Sequence, residues 1–264
     1  VFDAMRPYLT ERFGNPSSPH VYGVEARRAV EKARTRVASL LDCEPEEVVF
    51  TSGGTEANNH AIKGACLARR DKGRHIVTSA VEHPAVIEVC RYLETMGFTL
   101  TVVPVDAYGV VDLPALKKAL TPETTLISVM HANNEVGTVQ PVEEIAGIAR
   151  ERGMVFHTDA AQTAGKIPVS VKKLGVDLLS LAGHKLHAPK GVGALYVKGG
   201  VALERFMHGA GHEGGRRAGT ENVASIVALG TACELAKRNL KKNAARMKET
   251  RDRLRAGLAE RVED

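Results

Sequence analysis

Apolar, often β-branched segments alternate with helical patterns from about residue 45 onward. The segments that predict strands are Val48–Thr51, His75–Ser79, Leu100–Val105, Thr125–Met130, Met154–Thr158, Leu178–Leu181 and Ala194–Val197. The patterns between them that predict helices are Thr55–Ala68, Ala85–Met96, Leu113–Leu120 and Val142–Arg152. Strands that alternate with helices form a mostly parallel sheet that is covered on both faces. The pattern therefore predicts an α/β fold.

The two ends of the chain differ from this alternation. Phe13–His20 is rich in Gly, Pro and Ser and predicts a loop, which a helix near Val24–Leu41 follows. Near the other end, apolar residues keep a spacing of three to four from Ile226 to Leu258, which predicts a long helix. No repeat or linker divides the chain, so we interpret it as one domain.

Composition narrows the class of protein. Of the 264 residues, 44% are hydrophobic and 25% are charged, which is ordinary for a folded globular protein. No apolar run approaches the ~18 residues of a membrane helix. The four cysteines, Cys43, Cys66, Cys90 and Cys233, lack the spacing of a disulfide framework or a zinc site. We therefore expect small buried cysteines, no metal and a reducing cytoplasm.

The net charge of +5 has a local origin. Between Lys237 and Arg255 nine basic residues face two acids, so this stretch is +7 and the rest of the chain is −2. We interpret the stretch as a surface helix with a solvated basic face. A nucleic-acid-binding helix is the alternative, but Trp is absent and aromatic residues are only 4%, which leaves no stacking platform.

Polar residues able to do chemistry follow five of the predicted strands. They are Ser52-Gly53-Gly54-Thr55, Glu82-His83, Asn133-Asn134, Asp159 with Gln162, and His184-Lys185. The carboxyl ends of parallel strands meet at one edge of a sheet, where ligands bind. This convergence favours an enzyme over a structural module.

Each of these groups also has an ordinary structural interpretation. The glycines before Thr55 can cradle a phosphate at a helix start, or form a plain turn with a Thr cap. Asp159 can bind a metal, pair with a cation or cap a helix. His83 precedes Pro84 and can simply start a helix. A desolvated Lys185 near other cations can form Schiff bases with carbonyl compounds, or bind a phosphate or a carboxylate.

The motifs together resemble those of the cysteine desulfurases, the class-V group of fold-type I pyridoxal-phosphate enzymes. They occur in the family's order and cover nearly the whole chain: Phe13–Ser18, Thr51–Asn59, Glu82-His83, Asn133–Gly137, Asp159–Gln162, Gly183–Lys185, Pro189–Gly191 and Arg217–Asn222. The resemblance implies the fold-type I large domain, with a mixed, mostly parallel sheet between helices, and pyridoxal 5′-phosphate as the cofactor.

The resemblance also implies three catalytic residues. Lys185 would hold the cofactor through a Schiff base, Asp159 would pair with the ring nitrogen, and His83 would stack on the ring. The Asp159 carboxylate would keep the ring nitrogen protonated, so that the ring can absorb electrons from the substrate. Gln162 would hydrogen-bond to the ring hydroxyl oxygen.

Five further residues acquire binding roles from the resemblance. Gly54, Thr55 and His184 would hold the cofactor phosphate, and Thr220 would reach the phosphate of a neighbouring subunit's site. Asn134 would lie near the substrate carboxylate. Because Thr220 would serve the site of a neighbouring subunit, we expect the protein to act as a homodimer.

In the family, L-cysteine is converted to L-alanine, and a cysteine on a mobile loop takes the sulfur as a persulfide. The sulfur goes to iron–sulfur cluster assembly or thio-modification, so an iron–sulfur scaffold or another sulfur-acceptor protein is the expected partner. We expect no nucleic-acid or membrane partner and a cytoplasmic location. A selenocysteine lyase or a class-V aminotransferase would share these motifs, and an inactive scaffold with this fold is the non-enzymatic alternative.

The chain departs from the family pattern in several places. Ala182 stands where the family commonly has a serine whose hydroxyl binds phosphate. The chain begins at Val1 without Met and ends inside a helical pattern, so we expect a piece of a longer protein. We interpret 1–264 as the cofactor-binding large domain, with a loop and helix in 1–41 and a long helix in 221–264 that leads to a small domain. The family's nucleophilic cysteine and a carboxylate-binding arginine would lie in that small domain, so we expect this chain alone to be inactive.

Overall fold

Seven strands form one sheet in residues 1–262, the part of the chain that the computed structural model describes. They are β1 (Val48–Thr51), β2 (His75–Ser79), β3 (Thr99–Val103), β4 (Thr124–Ser128), β5 (Val155–Asp159), β6 (Leu178–Ala182) and β7 (Gly193–Val197). Their order across the sheet is β1-β7-β6-β5-β4-β2-β3. β7 is antiparallel to both of its neighbours, and the other pairs are parallel. The predicted α/β fold with a mixed, mostly parallel sheet is confirmed.

Helices cover both faces of the sheet. They are α1 (Phe2–Met5), α2 (Pro7–Thr10), α3 (Val21–Leu41), α4 (Gly54–Ala68), α5 (Pro84–Glu94), α6 (Leu113–Ala119), α7 (Val142–Glu151), α8 (Val171–Leu174) and α9 (Val223–Ala259). Three short 3₁₀ turns lie at Pro45–Glu47, Gly183–Leu186 and Glu213–Gly215. None of these helices is long and apolar enough to cross a membrane.

Two apolar cores lie on opposite faces of the sheet, and successive residues of the central strands point into one core and then the other. On β4, Leu126 packs with α4 and α5, whereas Ile127 packs with the α3, α7 and α9 side. Val155 and Phe156 divide in the same way on β5. Because both faces are buried, these strands are continuously apolar rather than alternating, as a parallel sheet between helices requires. This burial is why the apolar runs in the sequence predicted the strands to within two residues at each end.

The ends of the chain hold the main differences from the predicted elements. α3 begins at Val21, three residues before the predicted start, because His20 Nδ1 accepts the Gly23 N–H at 3.3 Å and caps the helix. The short helices α1 and α2 were not predicted, since four residues carry no periodic signal. The long C-terminal helix is confirmed as α9, and the last two positions of its predicted span, 263–264, lie outside the described residues.

A buried ion pair fixes the segment before α9 to the edge of the sheet. Arg34 of α3 donates to both carboxylate oxygens of Glu213, at 2.8 and 2.9 Å, and to the Val48 carbonyl at 2.8 Å. Glu213 also accepts the Phe50 N–H of β1 at 2.8 Å. Because a buried carboxylate is costly unless it is fully paired, these contacts hold the 206–222 segment in place. That segment carries the Arg217–Asn222 motif.

The basic residues of α9 lie at the protein surface, on its outer part. Buried positions on this helix end at Cys233, and from there onward every residue is half-buried or exposed. Lys237 donates to the Ser39 carbonyl and hydroxyl of α3 at 2.6 and 2.8 Å. The positive stretch is therefore a solvated helix face in residues 237–255, as its apolar spacing predicted.

Candidate active site

Five strand ends surround a single cavity of about 430 Å³. Since β7 is antiparallel to both β1 and β6, β1 runs parallel to β6 and therefore to β5, β4 and β2. All five chemistry-bearing strands thus end at the same edge of the sheet. The predicted site residues that line the cavity are Gly54, Thr55, His83, Asn134, Asp159, Gln162, His184 and Lys185. Thr220 does not line it.

The start of α4 forms one wall of the cavity. Gly53 has a φ of 153°, a conformation that favours glycine, and caps the helix without a side-chain hydrogen bond. The N–H groups of Gly54 and Thr55 have no acceptor within the helix, because helix starts leave their first N–H groups unpaired. A Cβ at Gly54 would lie only 3.0 Å from the Ala182 Cβ. This wall is suited to an anion that approaches the backbone closely.

Glu56 fixes the geometry of this wall. It accepts the Ser52 N–H at 2.8 Å and two hydrogen bonds from Arg217, at 2.8 and 3.2 Å. Burial alone would raise the pKa of Glu56, but the hydrogen bonds from Arg217 and Ser52 lower it below its usual range. The ionised carboxylate is thus neutralised by Arg217 and does not oppose an anion at the helix start. Sequence reasoning assigned no role to Glu56, although an acid in the first turn is typical of helix starts.

Asp159 is the last residue of β5 and lies at the floor of the cavity, with only 8% of it exposed. Its two carboxylate oxygens accept hydrogen bonds from Asn58 Nδ2 at 2.7 Å and the Ala161 N–H at 2.9 Å. Burial raises the pKa of Asp159, although these bonds and the nearby His83 and Lys185 oppose the rise. No helix follows Asp159 directly, so the helix-capping interpretation is wrong. In residues 1–262, no group of three His, Cys, Asp or Glu side chains could hold a metal.

Asn58 supports Asp159 from α4, and sequence reasoning gave it no separate role. It is 1% exposed and lines the cavity, and its Oδ1 is buried without a hydrogen-bond partner among the described residues. The signal in the sequence is weak: an amide occurs on the buried face of α4, next to Ala57 and Ala61. The pairing with Asp159 is tertiary, 101 positions apart in the chain, and no local pattern encodes it.

His83 caps α5 and lines the cavity at the same time. Its Nδ1 accepts the Ala85 N–H at 3.1 Å, so the ordinary interpretation of a helix start holds. Because Nδ1 is an acceptor, the neutral ring carries its proton on Nε2. Nε2 is therefore the atom of His83 that can exchange a proton with a bound group.

Lys185 lies in the 3₁₀ turn Gly183–Leu186, three residues beyond the end of β6. We expected it to be desolvated, but its side chain is exposed. The physical reason is that the turn carries the lysine past the buried strand end and into the open part of the cavity. His184, from the same turn, is also exposed and lines the cavity with Lys190 and Gln162.

Comparison with known proteins agrees with this geometry. The Aminotransferase class-V family model matches residues 1–263. This chain belongs to the class-V aminotransferase family. It is 52% identical to the cysteine desulfurase IscS of Dictyoglomus turgidum, over all of this chain and 67% of that protein. Other curated cysteine desulfurases are matched over 64% of their length, so the chain spans about two thirds of these relatives.

Two solved structures share the fold of this class-V aminotransferase family member. A NifS-like protein superposes with a TM-score of 0.95 at 43% identity, over 98% of this chain and 72% of that one. SspA in complex with cysteine gives a TM-score of 0.85 at 42% identity, over 88% of this chain and 67% of that one. The resemblance to the cysteine desulfurases that the motifs indicated is therefore confirmed.

Thr220 lies in a second, smaller cleft of this class-V chain, about 200 Å³ in volume. Ser52 and Gly191 line both this cleft and the main cavity, whereas Arg217 lines only the smaller one. The Thr220 side chain is exposed. It therefore lies beside the wall that the start of α4 forms but does not line the cavity of its own chain.

The four cysteines of the chain lie away from the cavity. None is among the residues that line it, and Cys66, Cys90 and Cys233 are buried in the apolar cores. Burial raises the pKa of Cys43, Cys90 and Cys233 to about 12. These thiols are protonated at neutral pH, as expected of small buried side chains.

Glu82 precedes His83 in the sequence, and its carboxyl group is buried. Sequence reasoning gave it no role apart from the Glu82-His83 motif. Its Oε1 accepts the Ser79 hydroxyl at 2.8 Å and the Met130 N–H at 2.7 Å, while Oε2 is buried without a partner among the described residues. Burial raises the pKa of Glu82 to about 8, outweighing the hydrogen bonds from Met130 and Ser79. Glu82 thus joins the ends of β2 and β4 as a neutral acid at pH 7.

Glu82→Gln should remove a pH dependence of stability. The folded state holds the Glu82 proton above the ordinary pKa of 4.5, so this stabilisation is complete below pH 4.5 and is lost as the pH rises through about 8. From pH 5.5 to 8.5, wild type should lose ~2–4 kcal/mol more of its free energy of unfolding than the variant. Urea denaturation at both pH values measures the difference. Glu88→Gln, at an exposed site on α5, is the matched control, and equal pH slopes for wild type and Glu82→Gln would contradict the assignment.

Proposed function

We propose that this chain is the cofactor-binding large domain of a pyridoxal-phosphate-dependent cysteine desulfurase. Such an enzyme converts L-cysteine to L-alanine and passes the sulfur on as a persulfide, for iron–sulfur cluster assembly or thio-modification. The observation that carries the proposal is the set of groups around one cavity. An exposed lysine, a buried and paired carboxylate, and a helix start with unpaired N–H groups face a common space.

The residues present fit pyridoxal 5′-phosphate. The start of α4, with its unpaired N–H groups, suits a phosphate, and Thr55 and His184 would contribute side-chain donors there. Asp159 has one donor on each carboxylate oxygen, which leaves acceptor capacity for a protonated ring nitrogen. Ala182 supplies no hydroxyl, so at this position the phosphate would rely on backbone donors.

When it is bound, pyridoxal phosphate withdraws electrons from the α-carbon of an amino-acid substrate. Lys185 would hold the cofactor covalently, and Asp159 would keep the ring nitrogen protonated. His83 would stack on the ring and exchange protons at Nε2, while Gln162 would hydrogen-bond to the ring hydroxyl oxygen. Asn134, whose Nδ2 donates to Glu135 at 2.6 Å, would lie near the substrate carboxylate.

L-cysteine is the proposed substrate. The relatives at about half identity are named as cysteine desulfurases, and a solved structure with the same fold holds cysteine. These similarities favour a desulfurase over an aminotransferase or a selenocysteine lyase, which would share the same cofactor residues. A cytoplasmic location is also proposed, supported by four cysteines that form no disulfide.

Cofactor attachment at Lys185 is the direct test of this proposal. Wild type mixed with pyridoxal 5′-phosphate should gain a visible absorbance band, and borohydride reduction followed by peptide mass mapping should place the adduct on Lys185. Lys185→Ala should lose the band, because no other amine is expected to link to the aldehyde. Lys190→Ala is the matched control, since Lys190 lines the same cavity. An adduct on Lys190, or no band in wild type, would contradict the proposal.

The chain by itself should release no sulfide from L-cysteine. No cysteine lines the cavity, and burial keeps the described thiols protonated, so none can attack the substrate sulfur. Sulfide assays with a reductant and bound cofactor should stay at the level of free cofactor, although the absorbance band of the protein persists. Sulfide release that survives replacement of all four cysteines by serine would show that the reaction needs no thiol of this chain.

We also propose that the enzyme is a homodimer and that an iron–sulfur scaffold or another sulfur-acceptor protein is its partner. Thr220 is exposed next to the anion-binding wall and would serve the cofactor of the other subunit. Loops near the cavity expose large apolar side chains, such as Tyr108 at 81% and Val136 at 69%. Exposed apolar surface of this kind is typical of interaction sites.

A charge placed on this apolar surface should weaken the dimer. Wild type should sediment as a dimer at micromolar concentration, and Val136→Asp should shift towards monomer, because an aspartate buried in an interface lacks a partner. Val262→Asp, at a comparably exposed valine (62%) far from Val136 in the sequence, should sediment like wild type. A monomeric wild type would contradict the dimer, and a dimer unchanged by Val136→Asp would exclude this surface as its interface.

A further inference from the structure

Lys166 contacts Gln162, a residue of the cavity wall, from outside the cavity. It lies in the turns after β5, and its Nζ donates to Gln162 Oε1 at 2.8 Å. Both side chains are half-buried. Gln162 lines the main cavity, whereas Lys166 lines a neighbouring cleft of about 360 Å³ between the Lys185 turn and α9. Lys166 therefore touches the site through Gln162.

The contact determines which way the Gln162 amide faces. An ammonium group has donors only, so the amide oxygen must face Lys166 and the NH₂ group must face away from it. Within residues 1–262, no residue accepts a hydrogen bond from Gln162 Nε2. The amide thus presents a donor, and not an acceptor, to the cavity that it lines.

The charge of Lys166 is not neutralised locally. None of the ion pairs among the described residues includes Lys166, and the cleft that it lines also holds Lys185, His187 and Arg246 but no acid. Burial and then the charge of Lys185 lower the pKa of Lys166. The positive charge of Lys166 therefore lies behind the Gln162 amide, and it favours negative charge at the place in the cavity to which Gln162 Nε2 can donate.

We propose that Lys166 is a positioning residue, which holds the Gln162 amide so that Nε2 donates to the ring oxygen of pyridoxal phosphate and favours its ionised form. This inference rests on the proposed function. It predicts selectivity for a ligand that carries an acceptor oxygen at that position, because the amide cannot turn its oxygen towards the cavity while Lys166 holds it.

Two ligands separate this role from a merely structural one. Pyridoxal 5′-phosphate carries the ring oxygen, and 3-deoxypyridoxal 5′-phosphate lacks it. Lys166→Met should weaken binding of the first about tenfold and leave binding of the second unchanged, because a hydrogen bond to a charged group typically contributes about tenfold or more. Lys166→Arg keeps a donor and should retain most of the affinity. Lys172→Met, at an exposed lysine on α8, is the control.

The absorbance of the bound cofactor as a function of pH provides a second readout. The positive charge of Lys166 disfavours the protonated form of the bound cofactor. Without that charge, the protonated form should persist to higher pH, so the midpoint of the absorbance change should move to higher pH. The other titratable groups of the cavity wall are Glu56, His83, Asp159, His184, Lys185 and Lys190, and those of the cleft around Lys166 are the Val1 amino group, His187 and Arg246. They are the same in every variant, so a shift confined to Lys166→Met comes from Lys166.

The outcomes distinguish this inference from the proposed function. If wild type binds neither ligand, the proposed function fails. If wild type binds both, and Lys166→Met either matches wild type or loses both ligands equally, the positioning role is overturned. Gln162→Leu leaves Lys166 in place and should show the same selective loss, which provides a second route if Lys166→Met does not fold.

Discussion

A carboxylate buried at the end of the central strand is the constraint on which the rest of the site depends. Asp159 is only 8% exposed, so its carboxylate must find hydrogen-bond partners within the protein. Asn58 reaches it from α4, and the turn after β5 supplies the Ala161 N–H. The hydrogen bond from Asn58 therefore ties α4 to the end of β5, beside the carboxylate.

Helices and strands carry part of the cavity wall, and the turns directly after the strands carry the rest. The strand ends are set by the ladder of the sheet, and α4 and α5 are packed against one face of it. The 206–222 segment has little regular structure, yet two ion pairs attach it: Arg34 with Glu213, and Arg217 with Glu56. A site whose parts come from five strands and a loop needs such ties, because small displacements of binding groups cost orders of magnitude in rate.

The elements and the edge of the sheet could be predicted from the sequence, whereas the supporting contacts could not. Continuous apolar runs identify buried strands, and polar residues directly after them indicate where a parallel sheet binds ligands. The hydrogen bonds from Asn58 to Asp159 and from Met130 to Glu82 join residues 101 and 48 positions apart, so no local pattern reveals them. The exposure of Lys185 was missed for a related reason, because a single 3₁₀ turn after β6 decides it.

The charges around the cavity are arranged in a way that orients a ligand as well as binding it. One wall combines the positive start of α4 with His184, and Glu56 does not weaken it because Arg217 neutralises that carboxylate. Asp159 occupies the floor as an acceptor, and the Gln162 amide, held by Lys166, adds a donor. Under the proposed function, the anionic group of a flat ligand would lie at that wall and its protonated nitrogen at Asp159. Lys185, which lines the same cavity with an exposed side chain, would then face the ligand carbonyl.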